Sequence, residues 1–158
     1  GSFGNDKEYL RFLAGEYRRH GFNIPFFTSD GPGDLYLQGG TLPEVLKTVN
    51  FGSNPESAFA NLAEYQENGP LMCMEFWNGW FDHWLEPHHS RNAVDAAETL
   101  DRMLKTGANV NLYMFHGGTN FGFMNGANAN QHKDYAPTVT SYDDDAPLNE
   151  CGDITPKY

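Results

Sequence analysis

SRNAVDAAETLDRMLKTGANVNLYMF, residues 90–115, reads as one complete helix–strand unit. Ser90 is placed to cap a helix, and Ala93, Ala96, Ala97, Leu100, Met103 and Leu104 recur at helical spacing along one face. Gly107 stops the helix. Val110–Phe115 follows as a strand that is apolar on successive positions, as suits a parallel sheet covered on both faces.

Working outward, the same unit recurs upstream. Asn54 and Pro55 open a helix with Ala58, Phe59, Leu62 and Tyr65 facing inward, and Asn68-Gly69-Pro70 closes it. Leu71–Met74 is then an apolar strand ending in Glu75. Further back, a helix from Asn5 or Asp6 to Gly21 carries Tyr9, Phe12, Leu13 and Tyr17 on one side. A short strand at Ile24–Thr28 delivers Ser29, Asp30 and Gly31 into a loop. A weaker helical stretch at Leu42–Leu46 precedes a strand at Thr48–Phe51, which stops at Gly52.

Four helix–strand units, one roughly every 30–40 residues, predict an α/β fold with a parallel sheet. A doubly wound sheet and a (β/α)8 barrel both satisfy the pattern. No Gly-x-Gly-x-x-Gly follows a strand, which argues against a dinucleotide site. A full barrel needs about 200 residues or more, so a chain of 158 holds either a small open domain or half a barrel.

Composition narrows the function classes. A net charge of −11, with no basic stripe to offset it, argues against nucleic acid and anionic bilayers as partners. An aromatic content of 15% supports a packed core rather than disorder. No apolar run approaches the ~18–20 residues of a membrane span. The first residues lack a signal-peptide pattern, and the compartment is left unassigned. Cys73 and Cys151 are too few for a disulfide scaffold, and Cys73 reads as a buried strand thiol.

In parallel α/β folds, chemistry collects at the C-terminal ends of strands. Here those ends carry Asp30, Asn50 with Gly52, Glu75, and Tyr113 through His116. Glu75 opens the segment FWNGWFDHW, residues 76–84, which holds all three tryptophans of the chain. Aromatic faces beside carboxylates and amides complement a sugar, which presents an apolar C–H face and a rim of hydroxyls. A strand-end carboxylate can attack an anomeric carbon and form a covalent glycosyl intermediate. The competing reading makes Glu75 a simple strand-end charge, with the tryptophans packed under a loop.

A second cluster, NVNLYMFHGGTNFG at 109–122, places Asn111 and Tyr113 on one strand face. It adds a Gly117-Gly118 turn, with Thr119 and Asn120 available to recognise hydroxyls. His83, Glu86, His88 and His89 lie close together but lack the spacing of zinc ligands, and read as a polar loop. The run Asp143-Asp144-Asp145 lacks the glycine and glutamate positions of a calcium loop, and no Gly-x-Ser-x-Gly elbow occurs. Neither a metal nor a cofactor is expected.

Taken together, EFWNGWFDHW (75–84), NLYMFHGGTNF (111–121) and TSYDDDAPLNE (140–150), with FTSDG (27–31) and Phe51-Gly52 in the same order, resemble the family 35 glycoside hydrolases, the β-galactosidases. The resemblance covers essentially the whole chain. It implies that residues 1–158 are part of a catalytic TIM barrel, with Ile24–Thr28, Thr48–Phe51, Leu71–Glu75 and Val110–Phe115 as strands five to eight. It assigns Glu75 as nucleophile, places Trp80 and Tyr113 in the galactose subsite, and makes Trp77 an aromatic neighbour. Tyr142 matches the first tyrosine of the family's Ser-Tyr-Asp-Tyr-Asp motif. Asp144 stands where the second tyrosine contacts sugar in relatives, so that contact is expected to be lost or the subsite preference shifted.

The family's acid/base glutamate, from an Asn-Glu-Tyr-Gly-like motif, is expected upstream of Gly1. A retaining mechanism needs two carboxyl groups about 5–5.5 Å apart, so the isolated chain is expected to be inactive. The rest of the barrel and accessory β-domains would be its partners in the parent. The implied activity is removal of terminal β-linked galactose from oligosaccharides or glycoconjugates. A non-catalytic galactoside-binding module and a retaining glycosidase for another sugar are the alternatives.

Overall fold

A computed structural model describes residues 2–124, 126–130 and 133–158. They form two compact units, one of residues 1–76 with 101–111 and the other of residues 77–100 with 112–158.

The first unit begins with helix α1 (Lys7–Arg19). The Asp6 carboxylate accepts the Tyr9 N–H at 3.0 Å, and Gly21 at φ 86° ends the helix, both as the sequence predicts. No residue of α1 is buried. Strand β1 runs Phe27–Asp30 rather than Ile24–Thr28. Pro25 has no N–H to give a ladder, and pairing with the next strand starts at Phe27↔Leu46. Ser29 and Asp30 therefore lie in the strand and not in a loop.

Helix α2 (Asp34–Gly40) replaces the helical stretch expected at Leu42–Leu46. Its open C-terminal carbonyls are satisfied from α1, where the Lys7 Nζ donates to Gln38 at 2.6 Å and to Thr41 at 2.7 Å. Strand β2 (Leu46–Phe51) is buried from Lys47 onward. Helix α3 (Pro55–Tyr65) buries Ala58, Phe59 and Leu62 as predicted. Asn54 occupies its capping position, but in the left-handed conformation and without a side-chain cap bond.

Strand β3 (Met72–Trp77) carries Glu75 within its length, two residues before its end. It pairs in parallel with β2 as Val49↔Cys73, Asn50↔Glu75 and Phe51↔Phe76, with an irregularity between Val49 and Asn50. The extra residue, Met74, breaks the simple alternation. Cys73 and Phe76 are consequently both buried, while Glu75 is half-buried.

Helix α4 (Ala93–Lys105) is capped by Asn92, not Ser90, because the Asn92 side-chain oxygen accepts the Val94 N–H at 2.8 Å. Gly107 at φ 78° stops it. Strand β4 (Asn109–Tyr113) follows, and the sheet order is β1-β2-β3-β4. The first unit's core gathers Leu37, Val49, Phe51, Phe59, Leu62, Cys73, Phe76 and Met103, with the Phe51 and Phe59 rings edge to face at 5.3 Å. Burial pushes the Cys73 thiol up to about 12, so it is an inert core thiol, as its sequence context suggests. Cys151 is exposed.

The second unit holds the segment after β3, the first turns of α4, the end of β4 and the antiparallel pairs β5 (Gly118–Thr119) with β8 (Ser141–Tyr142) and β6 (Ala127–Asn130) with β7 (Lys133–Pro137). Short bridges His116↔Leu148 and His83↔Thr138 tie its loops together. Among the described residues, no helix is long and apolar enough to cross a membrane.

Candidate active site

Glu75 is placed by the first unit's sheet. Its neighbour across the parallel ladder is Asn50, a buried amide whose Oδ1 accepts the Ser29 hydroxyl at 2.9 Å. The Asn111 side-chain amide donates to the Met74 carbonyl at 3.0 Å, bracing the bulged stretch just before Glu75. Asn111 thus acts on the backbone. The carboxylate stands on a strand bordered by two others and not on a loop, which limits its excursions.

The second unit contains a continuous aromatic array. The Trp77 and Trp80 rings meet edge to face at 5.3 Å, and Trp80 approaches Phe81 at 5.1 Å. Phe81 stacks on Tyr142 at 5.6 Å with 9° between planes, and the Tyr142 and Tyr113 hydroxyls are hydrogen-bonded at 3.1 Å. Four residues singled out in the sequence, Trp77, Trp80, Tyr113 and Tyr142, are therefore linked, and Phe81 joins them. Trp80 remains 39% exposed, enough to offer an indole surface to a ligand. Trp84, at 61% exposed, makes no ring contact in this array among the described residues.

A polar layer accompanies the array. The Met114 N–H donates to Asp144 Oδ2 at 3.1 Å, and the Met114 carbonyl accepts from Asn78 Nδ2 at 2.9 Å. Lys157 Nζ donates to the Asn78 carbonyl at 2.8 Å, the Asp145 carbonyl at 2.6 Å and the Asp145 carboxylate at 2.5 Å. Asp145 also accepts the Arg91 N–H, while the Arg91 guanidinium donates to the Trp77 carbonyl at 2.9 Å. Asp144 is only 3% exposed. Burial drives its carboxyl up to about 6, against the opposing pull of the Met114 N–H and the Lys157 charge.

Thr119 and Asn120, expected to recognise hydroxyls, spend their side chains on local backbone: the Asn120 amide donates to Val139 and the Thr119 hydroxyl to Asn120. The histidine loop is organised on one carboxylate. Asp82 accepts from His88 Nδ1 at 2.6 Å and from His89 Nδ1 and N–H at 2.8 Å each. His83 lies between Glu86 Oε2 at 2.8 Å and Asn128 Oδ1 at 2.6 Å. No group of three or more potential metal ligands comes together among the described residues. Sequence reasoning overlooked Phe81, Asn78 and Lys157. Phe81 and Asn78 lie inside the tryptophan segment and were legible by proximity, whereas nothing near Lys157 in the sequence signals a buried cation.

A parallel β/α sheet with a glutamate near a strand's C-terminal end, opening directly into a segment of clustered aromatics, defines the class of α/β proteins that work at their strand ends. The family model for glycosyl hydrolases family 35 matches residues 1–158, and the chain belongs to that family. It is 46% identical over 159 residues to the beta-galactosidase of Mus musculus, covering 99% of this chain and 24% of the mouse protein. The Homo sapiens beta-galactosidase is likewise 46% identical, with 99% and 23% covered. A Xanthomonas manihotis beta-galactosidase is 46% identical over 162 residues, with 100% and 27% covered. The chain thus spans about a quarter of the length of the curated relatives it matches.

Proposed function

We propose that this chain is part of the catalytic barrel of a retaining exo-β-galactosidase, with Glu75 as the nucleophile that bonds transiently to the anomeric carbon. Strands β1 to β4 would be the fifth to eighth of that barrel. The acid/base glutamate would come from a part of the longer protein outside these 158 residues. Trp77, Trp80, Tyr113 and Tyr142 would bind the galactose ring, and no metal or cofactor enters the chemistry. Partners in the parent would be the remaining barrel and accessory β-domains, with neither nucleic acid nor membrane involved.

The single observation that carries the reading is Glu75 half-buried on β3 with the Trp77–Trp80 pair opening the segment that follows it. Ring faces bind the apolar side of a pyranose, and a carboxylate on a braced strand suits attack on its anomeric carbon. The related proteins named above are called beta-galactosidases, which points to galactose rather than another sugar. The position that departs from the family motif, Asp144, is buried and is therefore poorly placed to swap one sugar contact for another.

Trapping tests this directly. The full-length protein, treated with a 2-deoxy-2-fluoro-β-galactoside, should yield a glycosylated peptide containing Glu75. Glu75→Gln should lower kcat for an aryl β-galactoside by at least ~10³-fold while leaving the fold intact, since the nucleophile is lost and its shape kept. A label on another side chain would overturn the assignment.

A further inference from the structure

Tyr113 reaches the aromatic array through a backbone that other residues hold. The peptide groups of its neighbour Met114 are gripped on both sides, the N–H by Asp144 at 3.1 Å and the carbonyl by Asn78 at 2.9 Å. Both gripping residues are almost completely buried, at 3% and 2% exposure. Asn78 Oδ1 has no hydrogen-bond partner among the described residues. A buried, unsatisfied amide oxygen is costly, and the side-chain bond that Asn78 does make is the one to Met114.

The grip is itself anchored. Lys157, whose side chain is 5% exposed, ties the Asn78 carbonyl to both the carbonyl and the carboxylate of Asp145. Asp144 and Asp145 both adopt positive φ, 59° and 49°. At Gly79 a Cβ would overlap the Asp144 carbonyl oxygen, so the two segments approach as closely as backbone permits. Such a network fixes the position of the residue at its end, and that residue is Tyr113, whose hydroxyl meets Tyr142.

We propose that Asp144, with Asn78 and Lys157, forms a buried clamp of positioning residues that sets Tyr113 against the galactose ring, so that Asp144 acts on turnover through Met114 and not by touching sugar. This rests on the galactosidase reading given above. The charged groups that face the Asp144 carboxyl are Lys157, Asp143 and Asp145. Lys157 favours its ionised form, and the two neighbouring aspartates, with burial, oppose it.

Two measurements on the full-length protein test the clamp. First, kcat per active site, counted by fluorosugar trapping, should fall about 10- to 100-fold in Asp144→Ala, with KM changed less than about threefold, as expected for a misplaced contact. Asp144→Asn keeps an oxygen for the Met114 N–H and should restore at least half the activity. Second, should Asp144→Ala fail to fold, 3-fluorotyrosine incorporation reads the clamp in the intact protein. The Tyr113 resonance, assigned with Tyr113→Phe, should shift with an inflection near pH 6 that is absent in Asp144→Asn. An unchanged per-site kcat in folded Asp144→Ala, or a Tyr113 signal indifferent to Asp144, would overturn the clamp. If Glu75→Gln keeps full activity, it is the galactosidase reading that fails.

Discussion

Asp144 shows how a single buried charge ties stability to pH. Its carboxyl rises to about 6 because burial disfavours the ionised form, whereas an unfolded aspartate titrates near about 3.9. The folded state therefore binds more protons between those values. The contribution is fully present below about pH 3.9 and is lost as pH rises through about 6. Asp144→Asn removes the charge that must be buried and keeps an acceptor for the Met114 N–H. It should stabilise the full-length protein by on the order of 1–3 kcal/mol at pH 7.5 and by little at pH 4. Urea denaturation at the two pH values checks this, and equal effects at both would contradict it. The same residue marks where sequence reading stops. Glu75 and the tryptophans are legible because strand-end position and composition announce them. By contrast, Asp144 meets residues distant in sequence, with Gly79 against its backbone carbonyl and the Met114 N–H on its carboxylate.

At the scale of elements, the helix–strand rhythm and the hydrophobic faces of α1, α3 and α4 could be read from periodicity, and their glycine stops at Gly21 and Gly107 hold. Boundaries failed where local chemistry overrode the pattern. Pro25 delayed β1, α2 formed over a short glycine-ended stretch, and Asn92 displaced Ser90 as the α4 cap. The loop between β3 and α4 belongs to neither pattern, and Asp82 organises it instead. Burial works against that carboxylate, but hydrogen bonds from His88 and His89 outweigh it and hold its carboxyl below the ordinary range. The reciprocal effect raises His88, through its bond to Asp82. His83 is raised by Asn128 first and by Glu86 next. For a raised imidazole, the contribution is full below the unfolded value of about 6.5 and vanishes as pH climbs through the folded one. The loop should accordingly be latched at pH 6 and loosen by pH 8.5. Limited proteolysis within residues 81–92 should accelerate over that interval. In Asp82→Asn the His88 titration, followed by NMR, should fall back toward about 6.5, while His83, which feels Asp82 through its charge alone, should move less in the same direction. Cleavage at the same rate across the range would dismiss the latch.

On the scale of the whole molecule, the first unit exposes surface that an independent domain would bury. Tyr9, Phe12 and Tyr17 of α1 are each more than half exposed, as is Ile24, and Phe27 at the start of edge strand β1 is 48% exposed. A groove of about 390 Å³, lined by residues that include Leu10, Leu13, Tyr17, Phe22, Phe26 and Val45, runs along this apolar face. At about 25 cal/mol per Å², covering such a face is a substantial stabilisation that these 158 residues forgo by themselves. In the proposed parent, were it as long as its relatives at roughly four times this chain, further strands and helices of the barrel would lie there. The purified 158-residue chain should therefore bind a dye that reports exposed apolar surface and should leave an aryl β-galactoside unhydrolysed, because the proposed assignment draws the second carboxyl group of the retaining pair from elsewhere in the parent. The full-length protein should do the reverse on both counts. Turnover by the short chain that disappears in Glu75→Gln would mean that the second carboxyl lies within it, with Asp30 the first candidate to replace, since it is the other carboxylate carried near a strand end of the parallel sheet.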